Sequence, residues 1–115
     1  SNIECERAYF YTSRKPLVDL SKLQYIGYDA LYLSYVGDVD QNTYVDFKDA
    51  YVVLNLDAFK TSSDATKHIN IRATNREMIE QLNRMSNRYK YKYDNGLNII
   101  TSDKEWETLL EKEGL

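Results

Sequence analysis

Cysteine, histidine, proline and glycine are all scarce in this sequence of 115 residues. Cys5 is the single cysteine, which excludes an intramolecular disulfide and a metal site built from several cysteines. His68 is the single histidine, so a zinc site with two or more histidine ligands is also excluded. One proline and four glycines are too few for a linker or a low-complexity segment. We therefore expect a single domain over residues 1–115.

The sequence also lacks a long apolar run. No stretch approaches the ~20 residues of a membrane-spanning helix, and no signal peptide is recognised. Ser1 and Asn2 resemble the remnant of a cleaved purification tag, in which case a leader could have been removed. The lone cysteine favours a reducing, cytoplasmic location over an exported domain.

Sequence motifs for catalysis and cofactor binding are missing as well. There is no Walker-type phosphate loop, no GxSxG elbow and no GxGxxG turn between a strand and a helix. A thiolate–histidine pair of Cys5 and His68 would be nucleophilic, but nothing near either residue supports that pairing. We therefore assign no catalytic residue and no cofactor, and an enzyme stays an alternative only as a site that the sequence does not reveal.

Tyrosine, in contrast, is abundant, with eleven copies beside three Phe and one Trp. Its large ring and polar tip suit half-buried sheet faces and binding surfaces alike. The abundance of tyrosine therefore predicts strands and leaves open which rings contact a partner.

Alternation of apolar and polar residues predicts most of the strands. The predicted strands are 3–12, 30–36, 43–47, 50–56 and 67–73. Residues 17–28 are ambiguous, with a short helix around 19–23 as one interpretation. A hairpin is predicted over 89–101, because tyrosine and lysine alternate before the turn signal Asp94-Asn95-Gly96.

Two capping boxes mark the predicted helices. Thr74 and Glu77 have this spacing before an apolar stripe, which predicts a helix over 75–88. Ser102 and Glu105 repeat it before a helix over about 103–112. The expected fold is α+β, with a mainly antiparallel sheet of about five to seven strands and both helices packed on one face.

The charge distribution is uneven. Residues 60–92 carry eight basic and three acidic side chains, whereas the flanking segments are acidic. A nucleic-acid surface within residues 67–92 would use Arg72, Arg76, Arg84, Arg88, Lys90 and Lys92. The competing interpretation is that these cations face acidic segments of the same fold, which agrees with the net charge of −3 and the pI near 5.1.

One segment resembles part of a calcium-binding loop. The oxygen-ligand positions of an EF-hand loop are occupied by Asp38, Asp40, Asn42, Asp46 and Asp49. Thr43 stands where the sharp turn requires glycine, and Asp49 replaces the usual glutamate. The alternative is a polar turn between two strands.

The favoured function is a non-catalytic protein-interaction domain, of an accessory, inhibitor or immunity type, that uses a tyrosine-rich sheet surface. The tyrosines expected to contact the partner protein are Tyr25, Tyr28, Tyr32, Tyr35, Tyr89, Tyr91 and Tyr93. For each of them the competing interpretation is burial in the core. A nucleic-acid-associated protein that uses residues 67–92 is the main alternative.

Overall fold

The computed structural model describes residues 8–11, 17–20, 31–34, 42–54 and 68–115. The described strands are β1 (Ala8–Tyr11), β2 (Leu17–Asp19), β3 (Leu31–Ser34), β4 (Thr43–Asp46), β5 (Ile69–Arg72) and β6 (Asn98–Ile100). The two described helices are α1 (Arg76–Tyr93) and α2 (Asp103–Lys112).

Every described strand pairing is parallel. Strands β1 and β3 form a two-stranded sheet, and a four-stranded sheet has the order β2-β4-β5-β6. The fold is a small α+β one, but the prediction of five to seven strands in a mainly antiparallel sheet is wrong. Parallel neighbours require a crossover connection, and α1 supplies the crossover between β5 and β6.

The two helices cover opposite faces of the four-stranded sheet. Val45 belongs to the apolar cluster that contains Leu82 of α1. The preceding residue, Tyr44, packs in a second cluster with Trp106 of α2. Because successive strand residues point to opposite faces, the prediction that both helices pack on one face is wrong. Parallel sheets commonly have both faces covered, which is the physical reason for this arrangement.

The N-cap of helix α1 lies one residue later than predicted. Asn75 is the N-cap, and its side chain accepts a hydrogen bond of 3.0 Å from the Met78 backbone N–H. The Thr74 hydroxyl instead donates to the Lys48 carbonyl at 3.0 Å. The predicted cap pair of Thr74 and Glu77 is therefore replaced by a cap at Asn75, while the predicted helix itself is present.

The same helix ends five residues later than predicted, at Tyr93. Asp94 has the left-handed conformation, with φ of 62°, and its N–H donates to the Lys90 carbonyl at 2.9 Å. The sequence Asp94-Asn95-Gly96 thus terminates a helix. The predicted hairpin over 89–101 is wrong, because its first strand is the last part of α1.

Helix α2 confirms the second capping prediction. It spans Asp103–Lys112, and the Ser102 side chain accepts from the Glu105 N–H at 3.3 Å. The predicted strand over 50–56 is wrong for the described residues 50–54, which form no strand. Their backbone groups bond to side chains of α1 instead.

Candidate binding surface on helix α1

Helix α1 exposes a cationic surface between Gln81 and Tyr93. From Gln81 to Tyr93 the helix carries four basic side chains and no acidic one. Arg84, Arg88 and Lys92 are exposed and follow one another at intervals of four residues, so they lie on adjacent turns along one side. Each interval corresponds to about 6 Å along the helix axis.

A tyrosine stands beside this row of cations. The Tyr91 side chain is 94% exposed and follows Arg88 by three residues, which makes the two side chains neighbours on the helix surface. We call Arg84, Arg88, Tyr91 and Lys92 the α1 ridge. It combines three positive charges with an aromatic ring in water.

The other two tyrosines of this segment have different surroundings. Tyr89 is buried in the core, and its ring stacks on that of half-buried Tyr93 with centroids 6.2 Å apart. The Lys92 ammonium lies 5.1 Å from the centroid of the Tyr93 ring. On the predicted strand Tyr89, Tyr91 and Tyr93 would share one face. That arrangement is wrong, because on a helix Tyr93 lies on the same face as Tyr89 whereas Tyr91 points away from both.

Three of the six predicted nucleic-acid residues lie outside the ridge. Arg76 is 3.6 Å from Glu80 at the start of α1. The stem of Lys90 lies against Gly96, where an added Cβ would be 2.7 Å from its Cε atom. Arg72 is on β5 and is engaged by acidic residues.

Arg72 is the centre of an ion-pair network at the carboxyl end of the four-stranded sheet. Its Nε and one terminal nitrogen bond the two oxygens of Asp46 at 2.6 and 2.7 Å, and the other nitrogen bonds Asp103 at 2.8 Å. The guanidinium carbon also lies 5.7 Å from the Trp106 ring centroid. Hydrogen bonding to Asp46 raises the pKa of Arg72. Ligands often bind at this edge of open α/β sheets, but here the side chains satisfy one another and join β4, β5 and α2.

The predicted calcium ligands are only partly described. Asp38 and Asp40 lie outside the described residues. Asn42 bonds His68 through its side-chain oxygen at 3.1 Å, both oxygens of Asp46 face Arg72, and Asp49 is exposed. Within the described residues, no group of three or more His, Cys, Asp or Glu side chains is placed to hold a metal ion. Calcium binding stays a prediction.

Buried polar atoms occur on the α2 side of the sheet. The Tyr44 hydroxyl and the His68 Nε2 atom have no hydrogen-bond partner in the described part of the chain. Burial, and then the nearby charge of Glu113, raises the pKa of Tyr44 to about 12. Cys5 lies outside the described residues, so its pairing with His68 is untested.

The other four tyrosines predicted to bind a partner are mostly outside the described residues. Tyr25, Tyr28 and Tyr35 lie outside the described residues, and Tyr32 is placed only as a residue of β3. Their part in protein binding stays a prediction. The position of Tyr91 beside Arg88 was not predicted. The signal was present, because Tyr89 follows Met85 by four residues and extends the apolar stripe of the helix.

A second surface feature lies along α2. A groove of about 410 Å³ is lined by Ser102, Lys104, Glu105, Thr108, Leu109 and Lys112. Its lining is mixed in charge, in contrast with the α1 ridge.

In the part of the chain that the structure describes, neither helix has the length and apolar character needed to cross a membrane. Comparisons with protein-family models, with curated proteins and with solved structures give no match for this chain.

Proposed function

We propose that this protein is a macromolecule-binding domain that holds an acidic partner on the α1 ridge. The observation that carries the proposal is the exposed row of Arg84, Arg88 and Lys92 with Tyr91 at its side. Arginine and tyrosine are enriched at binding surfaces, because each gives a large contact area together with polar groups. The row supplies positive charge that an acidic partner would neutralise.

The stability of the helix explains only the start of this row, where Glu80 precedes Arg84 by four residues and such a pair stabilises a helix. Like charges four residues apart destabilise a helix by about 0.2–0.5 kcal/mol per pair, and Arg84–Arg88 and Arg88–Lys92 are two such pairs. The helix dipole favours cations only in the last turn, which contains Lys90 and Lys92. Arg84 and Arg88 precede that turn, so the helix dipole is not the reason for their charges.

The net charge of −3 does not prevent such contact. At physiological salt the Debye length is about 8 Å, so a bound anion responds mainly to the side chains nearest to it. No acidic residue lies between Gln81 and Tyr93. Glu80 lies one turn before Arg84, but the three cations of the ridge outnumber it, so the ridge is positive at the point of contact.

A heparin column tests the proposal, with heparin as the acidic probe. We expect wild-type protein to be retained at about 50 mM salt, and the double variant Arg84→Gln/Arg88→Gln to elute at clearly lower salt. The matched control is Lys104→Gln/Lys112→Gln, which removes the same charge from the groove along α2. Circular dichroism checks that both variants keep their helices.

The control also shows whether heparin binds to a surface other than the α1 ridge. If the α2 variant loses retention and the α1 variant does not, the binding surface is the groove along α2. Equal losses would mean that only the net charge matters. Either result, or an unretained wild-type protein, would refute binding through the α1 ridge.

Recognition of another protein through apolar surface is the second candidate function. Tyr51 and Val53 are 42% and 43% exposed, whereas Val52 and Leu54 are buried, so the two exposed side chains lie on the same side of segment 50–54. Proteins captured from the source cell by wild type and by Tyr51→Ser/Val53→Ser can be compared by mass spectrometry. We expect a specific set to be lost with the variant, whereas an unchanged set would exclude this patch.

A further inference from the structure

We infer that the acidic partner of the α1 ridge is a single-stranded nucleic acid, with Tyr91 stacked on one of its bases; this inference rests on the function proposed above. A single-strand site needs two parts, a cationic path for the phosphates and an aromatic platform for a base. The ridge has both, since Arg84, Arg88 and Lys92 form the path and Tyr91 the platform.

The exposure of Tyr91 is the first reason. A side chain that is 94% exposed leaves the face of its ring open to an incoming base. Tyr89 and Tyr93 cannot serve in this way, because they stack on each other at the core. Tyr91 projects from the same helical surface as Arg88, three residues earlier. A strand whose phosphates follow the cations would therefore bring a base within reach of this ring.

The position of the cations is the second reason. A helix inserted into a duplex groove has a phosphate backbone on each flank, which calls for cations on both sides. Arg84, Arg88 and Lys92 lie along one side of α1, and the stem of Lys90 lies against Gly96. In a duplex the bases are also stacked and paired, so a phenol ring gains no stacking partner there. One row of cations beside one ring fits a single strand.

Fluorescence anisotropy with a labelled oligothymidine of about 15 nucleotides, and with its duplex, tests the inference. We expect the single strand to bind more tightly than the duplex. Tyr91→Ala should weaken single-strand binding by between about 5-fold and 100-fold, because it removes the stacking platform. Tyr91→Phe, which keeps the ring, should bind like wild type.

The dependence of affinity on salt tests the cationic path separately. Contact of three cations with phosphates predicts a slope of about −2 in a plot of log K against log salt. Arg84→Gln/Arg88→Gln should reduce the magnitude of that slope by about 1.4, whereas Tyr91→Ala should leave it unchanged. The control Lys104→Gln/Lys112→Gln should match wild type in both affinity and slope.

Failure of this inference can be told apart from failure of the proposed function. If heparin is retained through the ridge while the oligonucleotide is not bound, the partner is another acidic macromolecule, such as an acidic protein, and the inference is overturned. Equal affinity for single strand and duplex, or wild-type affinity of Tyr91→Ala, overturns it as well. If wild-type protein binds neither heparin nor the oligonucleotide, the proposed function fails with it.

Discussion

Tyr44 is a residue whose burial has a cost that can be measured. Its ring makes an edge-on contact with Trp106, with centroids 5.9 Å apart, and its hydroxyl is buried without a described partner. Burial and the charge of Glu113 raise the pKa of Tyr44 to about 12, above the value of about 10 for an unfolded chain. Neutral Tyr44 therefore supports the fold fully below about pH 10, and that contribution is lost as the pH rises through about 12.

We predict that Tyr44→Phe removes this alkaline sensitivity. At neutral pH the free energy of unfolding should stay equal or rise by up to about 1 kcal/mol, because an unsatisfied hydroxyl is removed. Between about pH 10 and pH 12 the wild type should progressively lose about 2–3 kcal/mol more than the variant. Urea unfolding at several pH values measures both, with Tyr91→Phe on the exposed surface as the matched control. Parallel pH profiles for wild type and Tyr44→Phe would contradict the prediction.

Arg72 shows how much a residue's role depends on neighbours that are distant in sequence. Residue type and local charge predict a cation available for nucleic acid. In the structure both oxygens of Asp46 bond it, and the Asp46 side chain is only 7% exposed. The pairing exists because β4 lies next to β5 in parallel register, which places Asp46 opposite Arg72. No local pattern in the sequence contains that information.

At the scale of elements, Gln81 of α1 replaces a strand partner for the extended segment 50–54. Its side-chain nitrogen donates to the Val52 carbonyl at 2.7 Å, and its oxygen accepts from the Leu54 N–H at 2.8 Å. The sequence predicts a strand here because Val52 and Leu54 are apolar and buried. The burial is real, but a helix side chain supplies the backbone bonds that a neighbouring strand would have supplied.

We predict that Gln81→Leu destabilises the protein by about 2–6 kcal/mol. Leucine fills a similar volume but cannot form hydrogen bonds. The buried Val52 carbonyl and Leu54 N–H are therefore left unsatisfied, and each costs about 1–3 kcal/mol of stability. Urea unfolding gives the total, and hydrogen exchange at the Leu54 amide should accelerate more than exchange in α2. Asn87→Leu on the exposed face of α1 is the control and should have little effect. If the Leu54 amide stays protected from exchange in Gln81→Leu, its hydrogen bond to the Gln81 side chain is ruled out.

Local signals predicted the helices well and the strand pairing badly. The cap of α2 was predictable because Ser102 and Glu105 are close in sequence, and a helix start depends on such neighbours. The end of α1 was not predictable, because the alternation of tyrosine and lysine also fits a strand. The turn signal Asp94-Asn95-Gly96 likewise suits a helix end as well as a hairpin. The false hairpin then favoured an antiparallel sheet. Parallel pairing of β4 with β5 depends on contacts between distant residues, which no local pattern shows.

At the scale of the whole molecule, the candidate surface was predictable in composition and not in geometry. The uneven charge identified the basic segment, and four of its six predicted cations lie between Gln81 and Tyr93 of α1. Which of them share a surface depends on the helix continuing to Tyr93. The sheet then separates this cationic face from α2, because the two helices pack on opposite sides.

The two faces of the sheet also differ in how firmly they hold their helices. Helix α1 has 18 residues and packs against the larger apolar cluster, whereas α2 has 10 residues with Trp106 as its buried residue. Helices as short as α2 are marginal on their own. Leu109 and Leu110 add half-buried contacts, and Asp103 forms an ion pair with Arg72. The Asp103 side chain is 67% exposed, and an exposed pair contributes about 0–1 kcal/mol.

We therefore predict that α2 detaches from the sheet before the rest of the protein unfolds. Under native conditions the amides of α2 should exchange at least about ten times faster than those of α1, after correction for intrinsic rates, which corresponds to a difference of about 1.4 kcal/mol in opening free energy. Trp106→Leu should widen this difference, because it removes the main apolar anchor of α2 and leaves the cluster under α1 intact. The fluorescence of Trp106 in the wild type gives a second measurement, since it should change at lower urea than the far-ultraviolet circular dichroism signal. Equal opening free energies in the two helices, with coincident transitions by both signals, would instead mean that the sheet and both helices unfold as one cooperative unit.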